Sequence, residues 1–220
     1  KKESCAFSSN FVLRGNSIFQ NIKKIISKSK SGSIFYIEGD YNYGRLNKIT
    51  SGWRSKSPNY SINLGGSIHL VDLFHWITQN KIIRVLALGN KISTKLSKFN
   101  SKDFSSAIIE FNDGSIGKIN ANFGCVIPHH HIFNIYSTNL TIKHNLENSV
   151  LYQSRSKNIK PKLLNNKGYD KAYVLNSFIS SIVNKKKPEV TPKEIFDTMS
   201  VCFALDRSLK SQKWEKIQYL

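Results

Sequence analysis

Apolar residues recur along this chain with two periods, one near 3.6 and one of 2, and the switches between them mark out its elements. Residues 17–29, SIFQNIKKIISKS, place Ile18, Phe19, Ile22, Ile25 and Ile26 on one face with lysines opposite, which predicts an amphipathic helix. Ser31-Gly32-Ser33 ends it, and IFYIEGDYNYG follows as a strand. Residues 44–63 hold neither period and predict a long loop, a length that in compact domains goes with function. The segment 66–79 is apolar almost all round, the mark of a largely buried helix, so its His69, Asp72 and His75 require a reason.

Beyond that helix the chain alternates. IIRVLALGNKIS, FSSAIIEF and SIGKINANFG read as strands, the last two joined by Asn112-Asp113-Gly114, a strong hairpin signal. HIFNIYST, LTIKH and SVLYQS continue the series, and the lysine-rich, turn-rich residues 154–169 predict a loop. A helix over 170–185 carries Val174, Phe178, Ile179 and Ile182 on one stripe. The next opens on Thr191-Pro192-Lys193-Glu194, an N-cap, a first-turn proline and a capping-box glutamate in order. Trp214 to Ile217 adds an edge strand. Hairpin-linked strands flanked by helices predict an α+β fold, a large, mostly antiparallel β-sheet with helices packed on one face. The 220 residues are expected to form one domain over 1–220.

Composition changes this picture little. The net charge of +19, from 33 Lys+Arg against 14 Asp+Glu, raises the possibility of a basic nucleic-acid-binding domain. Against it, only six arginines (14, 45, 54, 84, 155 and 207) contribute, and the lysines are spread apart from Lys185-Lys186-Lys187. Phosphate and base recognition favours the planar fork of arginine. An excess of Lys, Ile and Asn together is what AT-rich coding would give, so nucleic acid is not the expected partner. The charge would still draw an anionic substrate such as a nucleotide sugar. Cys5, Cys125 and Cys202 are scattered and odd in number, which argues for reduced thiols, a cytoplasmic protein, and neither a disulfide framework nor a zinc site. No apolar run approaches a membrane span.

Candidate chemistry gathers in Trp53 to Trp76. The loop supplies Trp53, Arg54 and Tyr60, side-chain types that grip a polyol or sugar, and Gly65-Gly66 leads into a helix with His69 and Asp72 one turn apart. His69 is the expected proton-transfer residue, its unperturbed pKa lying near neutrality. Asp72 either orients His69 or caps a nearby loop. A metal reading of His69, Asp72 and His75 is disfavoured, because six residues at about 100° each leave the two imidazoles roughly 120° apart around the helix. His129-His130-His131 opens a strand, with 129 and 131 on one face and 130 on the other; a metal pair, a cleft edge and a polar strand end are all open for it. At the first strand's end Glu38 and Asp40 point one way and Tyr41 and Tyr43 the other. There and in the following loop, Tyr43, Arg45, Trp53 and Arg54 are expected to contact substrate.

The stretch GG-x-x-H-x-x-D-L-x-x-W, here Gly65 to Trp76, resembles the site-lining helix of the Gfo/Idh/MocA family of NAD(P)-dependent sugar and cyclitol oxidoreductases. The likeness extends to NFVLRGNSIFQNIKKIISKSKSGSIFYIEGDYNYGRL upstream, to the hairpin IIEFNDGSIGKINANFG, and to the closing helices ending near Trp214. It implies the family's C-terminal domain, with His69 beside the nicotinamide helping to move the substrate hydroxyl's proton. It implies too that Arg14, at the entry to the domain, faces the cofactor. Many members carry an aspartate where this chain has Gly65, which puts the acid–base pair in question and offers Asn63 a substrate-binding role instead. No G-x-G-x-x-G occurs, and Lys1-Lys2-Glu3 does not match the family's E-K-P lysine motif. NAD or NADP is therefore expected to bind mainly to an N-terminal Rossmann domain missing from this chain, with no cofactor expected for this chain alone. The resemblance implies a sugar-like small-molecule substrate and a homo-oligomer formed through the open sheet face. A non-catalytic sugar-binding or oligomerisation module is the alternative.

Overall fold

The computed structural model describes residues 6–220, so Cys5 and the Lys1-Lys2-Glu3 stretch lie outside the described residues. A short 3-10 turn, Val12–Gly15, leads into helix α1, Ser17–Ile26, capped by the Asn16 side chain. Strand β1, Ile34–Asn42, follows. Helices α2, Leu46–Thr50, and α3, Trp53–Lys56, come next, then a π-helical turn, Asn63–Ser67, that runs into α4, Ile68–Thr78. Strands β2 (Ile82–Asn90), β3 (Phe104–Phe111), β4 (Ile116–Asn122), β5 (His130–Ser137), β6 (Thr141–His144), β7 (Ser149–Tyr152) and β8 (Lys162–Leu163) continue the chain. Helices α5, Tyr173–Val183, and α6, Pro192–Ser211, precede a final strand β9, Glu215–Lys216.

The nine strands form one sheet in the order β8-β7-β6-β5-β1-β4-β3-β2-β9. Every neighbouring pair is antiparallel except β1 and β4. A parallel pair needs a long crossover, and α2 to β3 supply it. The α+β expectation of a mostly antiparallel sheet backed by helices therefore holds. Alternation in β1 sends Ile37, Gly39 and Tyr41 inward, where they are buried with α1 and α4. Gly39 has a specific use there: a Cβ would stand 2.9 Å from Leu70 Cδ2, so any larger residue would push that side chain aside where α4 packs on the sheet. The outward face carries a polar ladder, in which Glu38 pairs with Lys118 at 2.6 Å and accepts from Asn134 and Tyr36. Beside it, Leu88, Ile108 and Ile116 are exposed.

Several local expectations change. Residues 44–63 are not a featureless loop, since α2 and α3 form within them, and α1 stops at Ile26. The short β8 forms inside the expected loop 154–169 by pairing with β7. The α5 stripe is not buried: Val174 is, while Ile179 and Ile182 are about half exposed. Helical spacing reports which residues share a face and not whether anything covers it.

Candidate functional site

Tyr41 is the centre of the aromatic cluster at the C-terminal end of β1. The β1–β5 register sets His131 directly across from it, and the β1–β4 register sets Ala121 on its other side. His69 stacks on the Tyr41 ring at 5.5 Å between centroids, while His129 and His131 approach it at 5.1 and 5.2 Å and each other at 5.0 Å. Tyr43 lies nearly parallel to Tyr41 and 5.2 Å from His129. Phe123 packs against both tyrosines and against Tyr60.

Helix α4 reaches this cluster through the π-helical turn, a distortion that often accompanies functional positions. Gly66 permits the approach, because a Cβ there would stand 3.1 Å from Tyr41 and 3.2 Å from Ala121 and Phe123. The turn is held from below by α6: Asp206 accepts hydrogen bonds from Ser61 Oγ at 2.7 Å and from Asn63 Nδ2 at 2.8 Å. Asn63 Oδ1 accepts from Ser67, so both ends of this fully buried amide are spent on the scaffold. That corrects the expectation of Asn63 as a substrate contact: its side chain faces the core and has no end left for a ligand.

His69 has no hydrogen bond to a described residue. Its Nδ1 is sealed without a partner, and the same holds for Nε2 of His129 and Nε2 of His131, although none of the three residues is fully buried. Each imidazole therefore keeps its other nitrogen as the one open to a ligand. Burial, and then the neighbouring His129, pull His69 down to about 4; burial, then Arg45 and His130, pull His129 to about 4. His131 is lowered further in the same sense by burial and by His129 and His69. Burial raises the Tyr41 phenol far above its usual range. The cluster is thus uncharged near neutrality, a set of hydrogen-bond donors and acceptors suited to hydroxyl groups. A His69 titrating near 4 exchanges hydrogen bonds well but stores a proton poorly at pH 7.

Asp72 does not reach His69, which corrects the expected dyad, and it caps no loop. Its carboxylate is taken by Arg14, whose Nη2 donates to it at 2.6 Å and whose Nε donates at 3.1 Å. Arg14 Nη1 donates to Glu194 Oε1 at 2.9 Å and to the Glu189 carbonyl at 2.6 Å. At 1 % exposure Arg14 is committed to this network, so it does not face a cofactor here. His75 looks toward Tyr219 and away from His69. Among the described residues no group of three or more His, Cys, Asp or Glu could hold a metal ion.

Four of the expected substrate contacts do assemble around the cluster. Arg45 stands over the Tyr43 ring at 5.7 Å, and Arg54 stands over Trp53 at 4.8 Å and over Tyr60 at 5.7 Å. Trp53 is 62 % exposed and meets Tyr60 edge-on. The central Tyr41 was readable in the alternation that pairs it with Tyr43, and His131 in its own alternation with His129. The third element, Tyr60 packed under Gly65, left no signal beyond its residue type.

A family model described as the GFO/IDH/MocA C-terminal domain matches residues 19–143. No curated protein matches the sequence. Among solved structures, levoglucosan dehydrogenase in complex with NADH superposes with a TM-score of 0.82 at 15 % identity, covering 96 % of this chain and 65 % of that one. Myo-inositol 2-dehydrogenase from Lactobacillus plantarum gives 0.78 at 17 % identity, with 96 % and 65 % covered. Scyllo-inositol dehydrogenase from Lactobacillus casei, with bound NAD(H) and scyllo-inositol, gives 0.76 at 16 % identity, with 96 % and 64 % covered. The chain spans a little under two thirds of each, and at these identities the likeness is one of fold.

Proposed function

The chain belongs to the GFO/IDH/MocA family through its C-terminal domain, and from that premise we propose that it is the substrate-binding domain of an NAD- or NADP-dependent oxidoreductase acting on a hydroxyl of a sugar, nucleotide sugar or cyclitol. The observation that supports this reading is the uncharged imidazole surface: His69, His129 and His131 around Tyr41, each ring with one nitrogen open to a ligand. His69 hydrogen-bonds the reacting hydroxyl and fixes its orientation. His129 and His131 take neighbouring hydroxyls, Tyr43 and Trp53 offer aromatic faces to the ring's C–H side, and Arg45 and Arg54 close the rim.

Cofactor chemistry belongs elsewhere in such an enzyme. Among the described residues no strand, glycine-rich turn and helix form a pyrophosphate cradle, and Arg14 is withdrawn into its ion pairs. In this reading NAD or NADP is held by a dinucleotide-binding domain, and this chain contributes substrate position. The outward sheet face, with Leu88, Ile108 and Ile116 exposed beside the Glu38–Lys118 ladder, is the surface through which two copies associate.

Saturation-transfer NMR on the 220-residue chain with a panel of sugars and cyclitols tests the reading. Binding that His69→Asn weakens about tenfold, the worth of one well-made hydrogen bond, supports it. Absence of binding across the panel and across phosphorylated members contradicts it.

A further inference from the structure

We infer that the ligand of the His69 surface carries a phosphate, as a phosphorylated sugar or cyclitol or a nucleoside-diphosphate sugar does, and is not a neutral polyol. The inference rests on the sugar-binding reading and adds a charge to it. Its first support is the fate of Gly65. In this chain the space is filled: a Cβ on Gly65 would overlap the Tyr60 hydroxyl, and that hydroxyl accepts from Arg54 Nε at 3.2 Å. The space beside Gly65 is held by a phenol that carries a guanidinium.

The second support is the state of the two arginines. Ion pairs engage Arg14, Arg84 and Arg207, and neither Arg45 nor Arg54 has a carboxylate partner among the described residues. Both rest on aromatic rings, Arg45 on Tyr43 and Arg54 on Trp53 and Tyr60; Arg54 spends only its Nε–H on the Tyr60 hydroxyl, and the Nη groups of both remain without a partner among the described residues. Both act on the Tyr41 phenol, and Arg45 acts on His129. No carboxylate figures among the leading influences on Tyr41, His69, His129 or His131. Two acids in the neighbouring elements are occupied or turned away: Asp206 serves Ser61 and Asn63 beneath the turn, and Asp40 is on the outward sheet face bonded to Asn120.

With the imidazoles neutral, two unpaired guanidiniums set the charge of this surface. A phosphate carries about −1.5 to −2 at neutral pH and accepts the planar fork of arginine in pairs of hydrogen bonds. A neutral polyol would satisfy the imidazoles and leave both positive charges uncompensated.

Calorimetric titration of the 220-residue chain with myo-inositol, myo-inositol 1-phosphate, UDP-glucose and inorganic phosphate, at low and high salt, decides the matter. The expected result is that myo-inositol 1-phosphate or UDP-glucose binds at least about tenfold more tightly than myo-inositol, the worth of one charge-assisted bond, and the tighter of the two identifies the source of the phosphate. Arg45→Gln and Arg54→Gln each weaken the phosphorylated probe far more than myo-inositol and so remove most of that preference, with thermal unfolding verifying that both variants fold. Equal affinity for phosphorylated and neutral probes overturns the inference and spares the sugar reading. A preference that survives both substitutions overturns it as well. Inorganic phosphate binding as tightly as the sugar phosphate, with myo-inositol silent, supports the phosphate site and removes the sugar from it. Silence from all four probes overturns both.

Discussion

Arg14 and Asp72, 58 residues apart in sequence, form a buried ion pair in which each side chain is 1 % exposed. The pair ties the turn before α1 to the middle of α4, and through Glu194 and the Glu189 carbonyl to the start of α6. Trp76 extends it, donating to Glu189 at 3.0 Å while lying under Lys23 at 4.1 Å. Helix α4 is thereby tied down one turn from His69, which restrains where His69 points.

Removing one partner of such a pair leaves an uncompensated buried charge. Arg14→Met is expected to lower stability by about 3–5 kcal/mol at pH 8. Burial, opposed by Arg14, already raises Asp72 to about 6, so protonation can relieve the orphaned carboxylate in acid. The loss measured by urea unfolding should therefore be smaller at pH 5 than at pH 8. An equal or larger loss at pH 5 would mean that Asp72 is not the group left stranded.

Gly65 gives a second test, of packing. A methyl group there collides with the Tyr60 hydroxyl, so Gly65→Ala should destabilise by about 1–3 kcal/mol. Adding Tyr60→Leu, which removes both the hydroxyl and the ring carbon that the methyl group meets, should return part of the loss. Strict additivity of the two changes in chemical denaturation would refute the contact.

Acid stability follows from the histidines. His69, His75, His129 and His144 are lowered from 6.5 to about 4, chiefly by burial, and His131 is lowered further. A depressed imidazole is neutral when folded and charged when unfolded between those values, so its contribution is present above about 6.5 and lost as pH falls toward 4. Asp40, Asp72 and Asp206 are raised and oppose this, but of these Asp72 is the one placed near 6. Stability should fall from pH 7 to pH 5, with unfolding taking up about four protons near pH 5. Urea midpoints that stay flat or rise over that range would show the imidazoles to be less buried than the structure has them.

The outward sheet face predicts association. Ile108→Lys with Ile116→Lys places two charges on an exposed apolar patch and should shift the chain toward monomer in sedimentation, with little change in unfolding midpoint. An unchanged sedimentation coefficient would assign self-association to another surface or to none.

Much of the fold could be read from the sequence because its signals are local. The Asn112-Asp113-Gly114 turn needs a glycine with φ of +84°, and the hairpin of β3 and β4 forms around it. The Thr191–Glu194 capping box is present with both hydrogen bonds. What the sequence did not reveal is non-local. Nothing in the period of β1 tells that it inserts between β4 and β5 or runs parallel to β4. Nothing in the spacing of His69 and Asp72 tells that the carboxylate is claimed by Arg14, because shared helical turns do not reveal what lies across the helix. The short helices α2 and α3 lack a core-facing stripe, with one buried residue each, so periodicity passed over them. The imidazole cluster joins α4 to the start of β5, a meeting made by the sheet order alone.

The most direct test of the account follows the histidine ring C–H signals by NMR while myo-inositol or myo-inositol 1-phosphate is added to the 220-residue chain. If the surface around Tyr41 is the binding site, the His69, His129 and His131 signals move together and saturate with one dissociation constant, while those of His75 and His144 stay in place. Movement confined to His75 or His144, or no movement at all, would contradict it.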